Sequence, residues 1–303
     1  WLDAPVGYIA ASKDHANKNK DFSHEHFWIN ENNSNNKYEI AHFIGKDIVY
    51  FHAIFWPALL SSGNYNLNNL SLIHVNGFLT INRQKMSKSR GTFVNARDYL
   101  NHLDPAYLRY YFAAKLSEDP LDIDLSPDDF VQRVNTDLIN KYINIASRSA
   151  GFIKKLFDNK LSEKLSEESI KHLKYGQNLS DKIADLYEKR SYSQVMKLIM
   201  QFADHSNQYI DFHKPWSMAK SEDINIQNKV QEICTVALND FRLMSLYLKP
   251  VLPKIAQNIE SFLNIPELNW DDNKSILLNH NINPFKPILN RVKMEEIEKF
   301  IKI

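Results

Sequence analysis

EIAHFIGKDIVYFHAIFWPALL, Glu39 to Leu60, is the stretch that decides the fold. Ile40 to Ile44 has the β-branched, apolar content of a strand buried in a parallel sheet. Gly45 and Asp47 follow as a strand-to-helix turn, with Asp47 placed to act as the N-cap. Beyond it, Val49, His52, Phe55 and Trp56 recur at helical spacing. A strand–turn–helix unit predicts an α/β domain, and the turn at the carboxyl end of its strand is where open α/β sheets bind ligands.

On the amino-terminal side, WLDAPVGYIAAS (Trp1 to Ser12) reads as a strand and turn. Lys13 to Lys37 is polar, rich in Asn, Lys and His, and reads as a surface excursion with a short helix at most. Its His15, His24 and His26 lack cysteine partners or a defined carboxylate geometry, so no metal site is expected there. On the carboxyl side, Leu72 to Val75 reads as a second strand. It is expected to run on through Asn76-Gly77 into Phe78–Ile81, because the apolar pattern hardly breaks. That strand delivers KMSKSRGT, Lys85 to Thr92, which has no apolar periodicity beyond Met86 and reads as a mobile basic loop. Lys85 and Lys88, with Arg90 behind them, set positive charge beside hydroxyl and backbone donors. Such a loop suits a phosphate that gains charge as a bond breaks.

From Asn95 onward the helical period takes over. Ala96–Leu116 reads as helices broken at Asp104-Pro105, and Pro120–Pro127 as a linker with capping residues Asp122, Asp124 and Ser126. Helices are expected over Asp128–Phe157, Glu167–Glu188, Tyr192–His213, Asn225–Tyr247 and Pro253–Phe262, with a terminal helix over Val292–Ile301. The layout is an α/β part followed by an α-helical bundle. On Asp128–Phe157 the apolar stripe runs from Val131 to Ile153. Asn144 and Arg148 lie one turn apart on another side and point together. An amide beside a guanidinium can read the edges of unstacked bases.

Composition bounds the rest. The 303 residues fit about two domains, and a hydrophobic share of 44% supports a sizeable core. Lys plus Arg is 37 against 36 for Asp plus Glu, so contact with nucleic acid would come from local patches rather than a global polycation. One cysteine, Cys234, permits no intrachain disulfide and points to a reducing, cytoplasmic setting. Ile48–Leu60 is the most apolar run and is too short to span a membrane. The chain opens on Trp1 rather than Met, which leads us to expect part of a longer protein.

With these elements placed, WLDAPVGYI, HFIGKDIVYFHAIFWPALL, KMSKSRGTFV, LRYYFAAKLS, DFVQRVN, NKYINIASR, KPW and LKPVLP together resemble the bacterial-type methionyl-tRNA synthetases nearly end to end. KMSKS alone fits several class I aminoacyl-tRNA synthetases, whereas the segments around Trp1 and Gly45–Trp56 are specific to the methionine family. The resemblance implies the C-terminal half of a Rossmann-type parallel sheet domain over 1–78 and a KMSKS loop with stem-contact fold over 79–138. An anticodon-binding helix bundle over 139–285 and a C-terminal helix over 286–303 complete it. The first Rossmann half, and any zinc-binding knuckle, would precede Trp1, so a chain of only these residues is expected to be inactive.

The same resemblance implies ATP with Mg2+, methionine and tRNA(Met) as partners, with no membrane, and assigns residues to them. Trp1, Ala4, Pro5, Tyr8, Ile48 and His52 would line the methionine pocket, where a polarisable thioether gains from aromatic contact. Read from the residues alone, Trp1, Tyr8, Phe51 and Trp56 are ordinary core aromatics, and the resemblance reverses that for Trp1, Tyr8 and His52. Gly45 and Asp47 would meet the ATP ribose, a role that competes with capping for Asp47. Lys88 would neutralise transition-state charge, with Lys85 second, Ser87 and Ser89 as hydroxyl donors and Met86 completing the motif. Asn144 and Arg148, with Pro215 and Trp216, would contact the anticodon. Two alternatives stay open: a class I synthetase of the Ile/Val/Leu/Cys type, and a non-catalytic tRNA-binding module.

Overall fold

A computed structural model describes residues 4–29, 38–65, 72–86 and 93–301. The chain divides into two compact units. The first comprises Trp1–Leu79 with Asp119–Asp122, the second Thr80–Glu118 with Ile123–Ile303.

In the first unit, strand β1 (Ala41–Gly45) pairs in parallel with β2 (Leu72–Asn76), Ala41 opposite Leu72 and Gly45 opposite Asn76. Between them the chain passes a 3-10 turn (Lys46–Ile48), a π-helical stretch (Phe51–Phe55) and helix α3 (Trp56–Ser62). The expected single helix is thus three helical forms in series. Asp47 lies inside the 3-10 turn, whose N-cap position is Gly45 and whose cap has no side-chain bond, so the expected capping role for Asp47 is not what the structure has.

Val6–Lys18 is helix α1, followed by the short α2 (Glu25–Trp28), where a strand, a turn and a largely irregular excursion were expected. No α1 residue is buried, which is why an apolar stripe was not legible there. Trp28, Trp56 and Leu60 form the local core, with Ile9, Phe27, Ile40 and Leu59 packed against them. The Trp28 indole N–H donates to Ser12 Oγ at 2.9 Å, so its polar atom is satisfied on burial.

The expected continuous strand across Asn76-Gly77 is two strands in different sheets. β2 ends at Asn76, and β3 (Leu79–Ile81) joins β4 (Gln84–Lys85) and β5 (Ile123–Leu125) in the order β4-β3-β5. Gly77 marks the change: a Cβ there would come within 2.2 Å of the Leu121 carbonyl oxygen, so only glycine lets the two backbones cross. The segment read as a capping linker therefore contains β5. Its Asp122 accepts from Lys46 Nζ and from the Phe78 amide, both at 2.7 Å, rather than capping a helix.

The second unit continues with α4 (Ala96–Leu100) and α5 (Pro105–Ala113). Asp104 caps α5 by accepting from the Ala106 amide at 2.8 Å, as the Asp-Pro pair predicts. Helix α6 (Pro127–Arg133), a π-helical stretch (Val134–Ile143) and α7 (Asn144–Phe157) form one long run. Then come α8 (Glu167–Gln177), α9 (Ser180–Glu188), α10 (Tyr192–His213), α11 (Pro215–Met218), α12 (Ile224–Leu248) and α13 (Pro253–Leu263). A 3-10 turn (Trp270–Lys274) and α14 (Met294–Ile297) close the described chain, so the terminal helix is a single turn, shorter than expected. Helix α12 is the axis of the bundle: from Ile233 to Leu248 every residue is buried, against α7, α8, α10 and α13. Cys234 is among them, and burial pushes its thiol up to about 12, so it acts as a core residue.

Candidate functional site

Two groups of the singled-out residues come together, one in each unit. In the first unit Tyr8, on α1, reaches His52 in the π-helical stretch, with Tyr8 Oη 2.8 Å from His52 Nε2. The other imidazole nitrogen, Nδ1, lies 3.0 Å from the Ile48 carbonyl oxygen. A carbonyl can only accept, so in the neutral ring Nδ1 carries the hydrogen, Nε2 accepts, and the Tyr8 hydroxyl donates. All the donated protons then run Tyr8 to His52 to Ile48. The tyrosine oxygen then keeps only acceptor capacity.

His42 on β1 completes this cluster, and sequence reasoning passed over it. Its ring centroid lies 5.0 Å from Tyr8 and 5.3 Å from His52. Burial, then the neighbouring His52, pushes its pKa down, so the neutral ring is favoured. The signal in the sequence was its place in the strand, two residues before the buried Ile44 on the same face. Trp56 is 6.5 Å from Tyr8 and 2% exposed, an aromatic wall that also belongs to the core. Pro5 is buried and Ala4 exposed just before α1, while Ile48 is half-buried. At the end of β1, a Cβ on Gly45 would meet Asp47 Oδ1 at 2.7 Å, so the glycine leaves room for that carboxylate to fold back over the strand end.

Of the loop residues, Lys85 closes β4 and is exposed, and Met86 follows it half-buried. Trp1, Ser87, Lys88 and Ser89 lie outside the described residues. The histidines of the polar excursion do not converge: His15 packs edge-on against Phe22 and His26 stacks on Tyr38. Among the described residues no group of three His, Cys, Asp or Glu side chains could hold a metal ion.

In the second unit, Asn144 opens α7 and Arg148 follows one turn later. The Arg148 guanidinium lies 5.0 Å over the Trp216 ring and donates through Nη2 to Asp211 Oδ1 at 2.7 Å. The chain reaches Trp216 by a sharp reversal. Lys214 ends α10 in the left-handed conformation, φ 46°, and buried Pro215 starts α11 with its φ already set. Trp216 is 41% exposed, so one face takes the guanidinium while much of the ring meets solvent. Asp211 is the residue that sequence reasoning missed; one helical turn before Pro215 is the place from which it reaches Arg148. Phe212 beside it is 79% exposed.

A cleft of about 420 Å3 opens elsewhere in this unit, lined by Tyr110, Arg133, Asp137, Lys141, Lys197 and Asp204 among others. Lys141 pairs with Asp204 at 2.8 Å, and Tyr110 donates to Asp137 at 2.8 Å. Arg133, Lys141 and Lys197 face Asp137 and Asp204 in this lining, so its charges nearly balance.

Residues 1–150 match the family described as tRNA synthetases class I (M), and residues 163–289 match the anticodon binding domain of methionyl tRNA ligase. A methionine–tRNA ligase of Vesicomyosocius okutanii is 50% identical over 303 residues, covering 100% of this chain and 53% of that protein. One from Francisella tularensis subsp. holarctica is 46% identical over 302 residues, covering 100% of this chain and 43% of its own length. Among solved structures, Mycobacterium tuberculosis methionyl-tRNA synthetase in complex with methionyl-adenylate aligns with a TM-score of 0.74 at 26% identity. That alignment covers 82% of this chain and 49% of the other. The chain thus spans about half the length of the curated relatives it matches.

Proposed function

We propose, since the chain belongs to the methionyl-tRNA synthetase family, that the protein carrying it is a methionine–tRNA ligase. It activates methionine with ATP to methionyl-adenylate and passes the methionyl group to the 3'-terminal adenosine of tRNA(Met). In the first step the methionine carboxylate attacks the α-phosphate, a new P–O bond forms and pyrophosphate leaves with the bonding pair. In the second a ribose hydroxyl attacks the adenylate's carbonyl and AMP departs. No covalent nucleophile from the protein is needed, so the chain's task is positioning and charge neutralisation.

The observation that carries this reading is the Tyr8–His52–Ile48 relay. A thioether is apolar and polarisable, and contacts between its sulfur and aromatic rings contribute about 0.3–1.5 kcal/mol each. With Tyr8 donating to His52, neither side chain has a proton to spare for sulfur. Recognition in this geometry rests on contact with the exposed Tyr8 ring, which His42 and Trp56 back, not on a donated hydrogen bond. Trp1, Ala4, Pro5 and Ile48 supply further wall. Gly45 and Asp47 hold the nucleotide's ribose, and Lys88, with Lys85, Met86, Ser87 and Ser89 around it, meets the charge that grows on the phosphates. Magnesium enters with the triphosphate as part of the substrate. Residues 1–78 serve as the second half of the catalytic domain, 79–138 as the stem-contact segment, 139–285 as the anticodon bundle and 286–303 as its C-terminal piece.

In the bundle, Asn144, Arg148 and Trp216 form the surface that receives the anticodon, with buried Pro215 setting the backbone just before Trp216. Arg148 is held over the Trp216 ring by Asp211, so a base can stack on the ring or pair with the guanidinium without first ordering either. The test is aminoacylation of tRNA(Met) beside a tRNA(Met) whose anticodon has been replaced. Charging of the first at a rate at least about tenfold above the second is expected, since a lost base contact costs about 1–3 kcal/mol. Equal charging of both would remove the bundle's proposed role.

A further inference from the structure

We propose that Asp124 is a positioning residue for adenylate formation: its carboxylate fixes the Asn82–Arg83 turn and thereby the direction in which the chain enters the lysine-rich signature. The inference rests on the ligase reading above and adds to it a residue outside the signature itself.

The geometry is that of a two-residue hairpin. Ile81 pairs with Gln84 and Thr80 with Lys85, so Asn82 and Arg83 are the whole loop between β3 and β4. Both have left-handed backbones, φ 48° and 61°. Loops of this kind normally carry Asn-Gly, because the second position also needs a positive φ. Here that position holds an arginine, a residue that avoids the left-handed region. Something must therefore hold the turn, and one carboxylate oxygen does. Asp124 Oδ1 accepts from the Arg83 amide at 2.6 Å and from Thr80 Oγ1 at 2.7 Å, touching the turn itself and the residue opposite Lys85.

Asp124 is itself anchored. Its carbonyl oxygen accepts from Tyr111 Oη and Lys115 Nζ, each at 3.0 Å, which ties β5 to helix α5 and the segment just after it. Beside it, the Asn82 amide donates to the Leu125 carbonyl at 3.4 Å. A connected path of bonds thus runs from the α5 region through Asp124 to the turn and to Lys85. The hairpin has only two residue pairs, too few to keep its register unaided, and a slip of one residue would turn Lys85 to the opposite face. A displacement of about 1 Å in a charge-bearing segment can lower a rate by about 10²-fold.

The experiment uses the complete protein and compares wild type, Asp124→Ala, Asp124→Asn and the double variant Asp124→Ala/Arg83→Gly in methionine-dependent pyrophosphate exchange. Asp124→Ala should lower kcat by about 10- to 100-fold while KM for methionine stays within about twofold. Asp124→Asn keeps an oxygen acceptor and should recover to within about fivefold of wild type. Arg83→Gly removes the demand for a left-handed arginine and should return at least about tenfold of the activity lost in Asp124→Ala. A silent wild type would refute the ligase reading and this proposal with it. An active wild type with Asp124→Ala unchanged in kcat would refute the proposal alone. So would a rise in methionine KM matching the fall in kcat, or a double variant no better than Asp124→Ala.

Discussion

Replacing Trp216 by alanine removes the platform of the bundle's tRNA surface and little else. The ring is 41% exposed, and the Arg148 guanidinium 5.0 Å above it keeps its bond to Asp211 after truncation. The lost cation–π contact amounts to about 0.5–1 kcal/mol at an exposed site, which in a unit of this size moves Tm by no more than about 4 °C. The lost stacking of a base on tryptophan amounts to about 1–3 kcal/mol. At about 1.4 kcal/mol per factor of ten, kcat/KM for tRNA(Met) should fall by about 5- to 150-fold. Pyrophosphate exchange needs no tRNA and should stay within about twofold. The assay is aminoacylation at limiting tRNA, run beside exchange and a thermal melt on the same preparation. Two results would refute the reasoning: charging unchanged, or exchange and Tm falling as far as charging does, which would make Trp216 a core residue.

Lys88→Ala should slow methionine-dependent exchange by about 10²-fold or more with methionine affinity nearly unchanged, because its charge is used only as the phosphates gain theirs; equal losses in both would make it a ground-state group. Tyr8→Phe leaves His52 Nε2 without its donor beside the pocket. It should raise KM for methionine by about fivefold or more with a smaller change in kcat, as steady-state exchange will measure. Gly77→Ala forces a methyl onto the Leu121 carbonyl and should lower the melting temperature of the complete protein markedly, whereas Gly151→Ala, with open space around it, should not. For Glu232, burial raises the carboxyl pKa, but hydrogen bonds from Ser166 and Ser169 more than offset this and bring it down to about 2. A depressed carboxyl stabilises the fold above its unfolded value near 4.5 and loses that contribution as pH falls toward 2. Glu232→Gln should therefore lower stability at neutral pH and flatten the acid limb of a denaturation series in that window.

The helical half of the molecule was legible because burial there follows periodicity. Helix α10 has the bounds that its apolar spacing predicts, and the break before α5 sits at the Asp104-Pro105 pair that caps and starts it. What escaped the sequence depends on contacts distant along the chain. Helix α1 has no fully buried residue, so no stripe announced it. Asn76-Gly77 kept an apolar pattern on both sides although the strands belong to different sheets, and only the crossing of Leu121 explains the glycine. Asp122 and Asp124 have the composition of helix caps, yet their acceptor oxygens serve Lys46, Phe78, Thr80 and Arg83, each roughly 40 or more residues away. Of the candidate sites, Asn144 and Arg148 could be paired from helical spacing alone. That Arg148 also meets Trp216 follows from the left-handed Lys214 and the proline after it, and the Asp211 clasp from the turn before them. His42 was hidden because a lone histidine in a strand looks like any other polar interruption.

The most direct measurement is pyrophosphate exchange by the complete protein against a panel of methionine, leucine, isoleucine, valine and cysteine, each at limiting concentration. Methionine is expected to be activated with a kcat/KM at least about tenfold above every other member, because a pocket built on ring contact gains from a polarisable sulfur in an unbranched chain and loses with branching or shortening. Preferential activation of isoleucine, valine, leucine or cysteine, or no exchange with any of the five, would contradict the assignment.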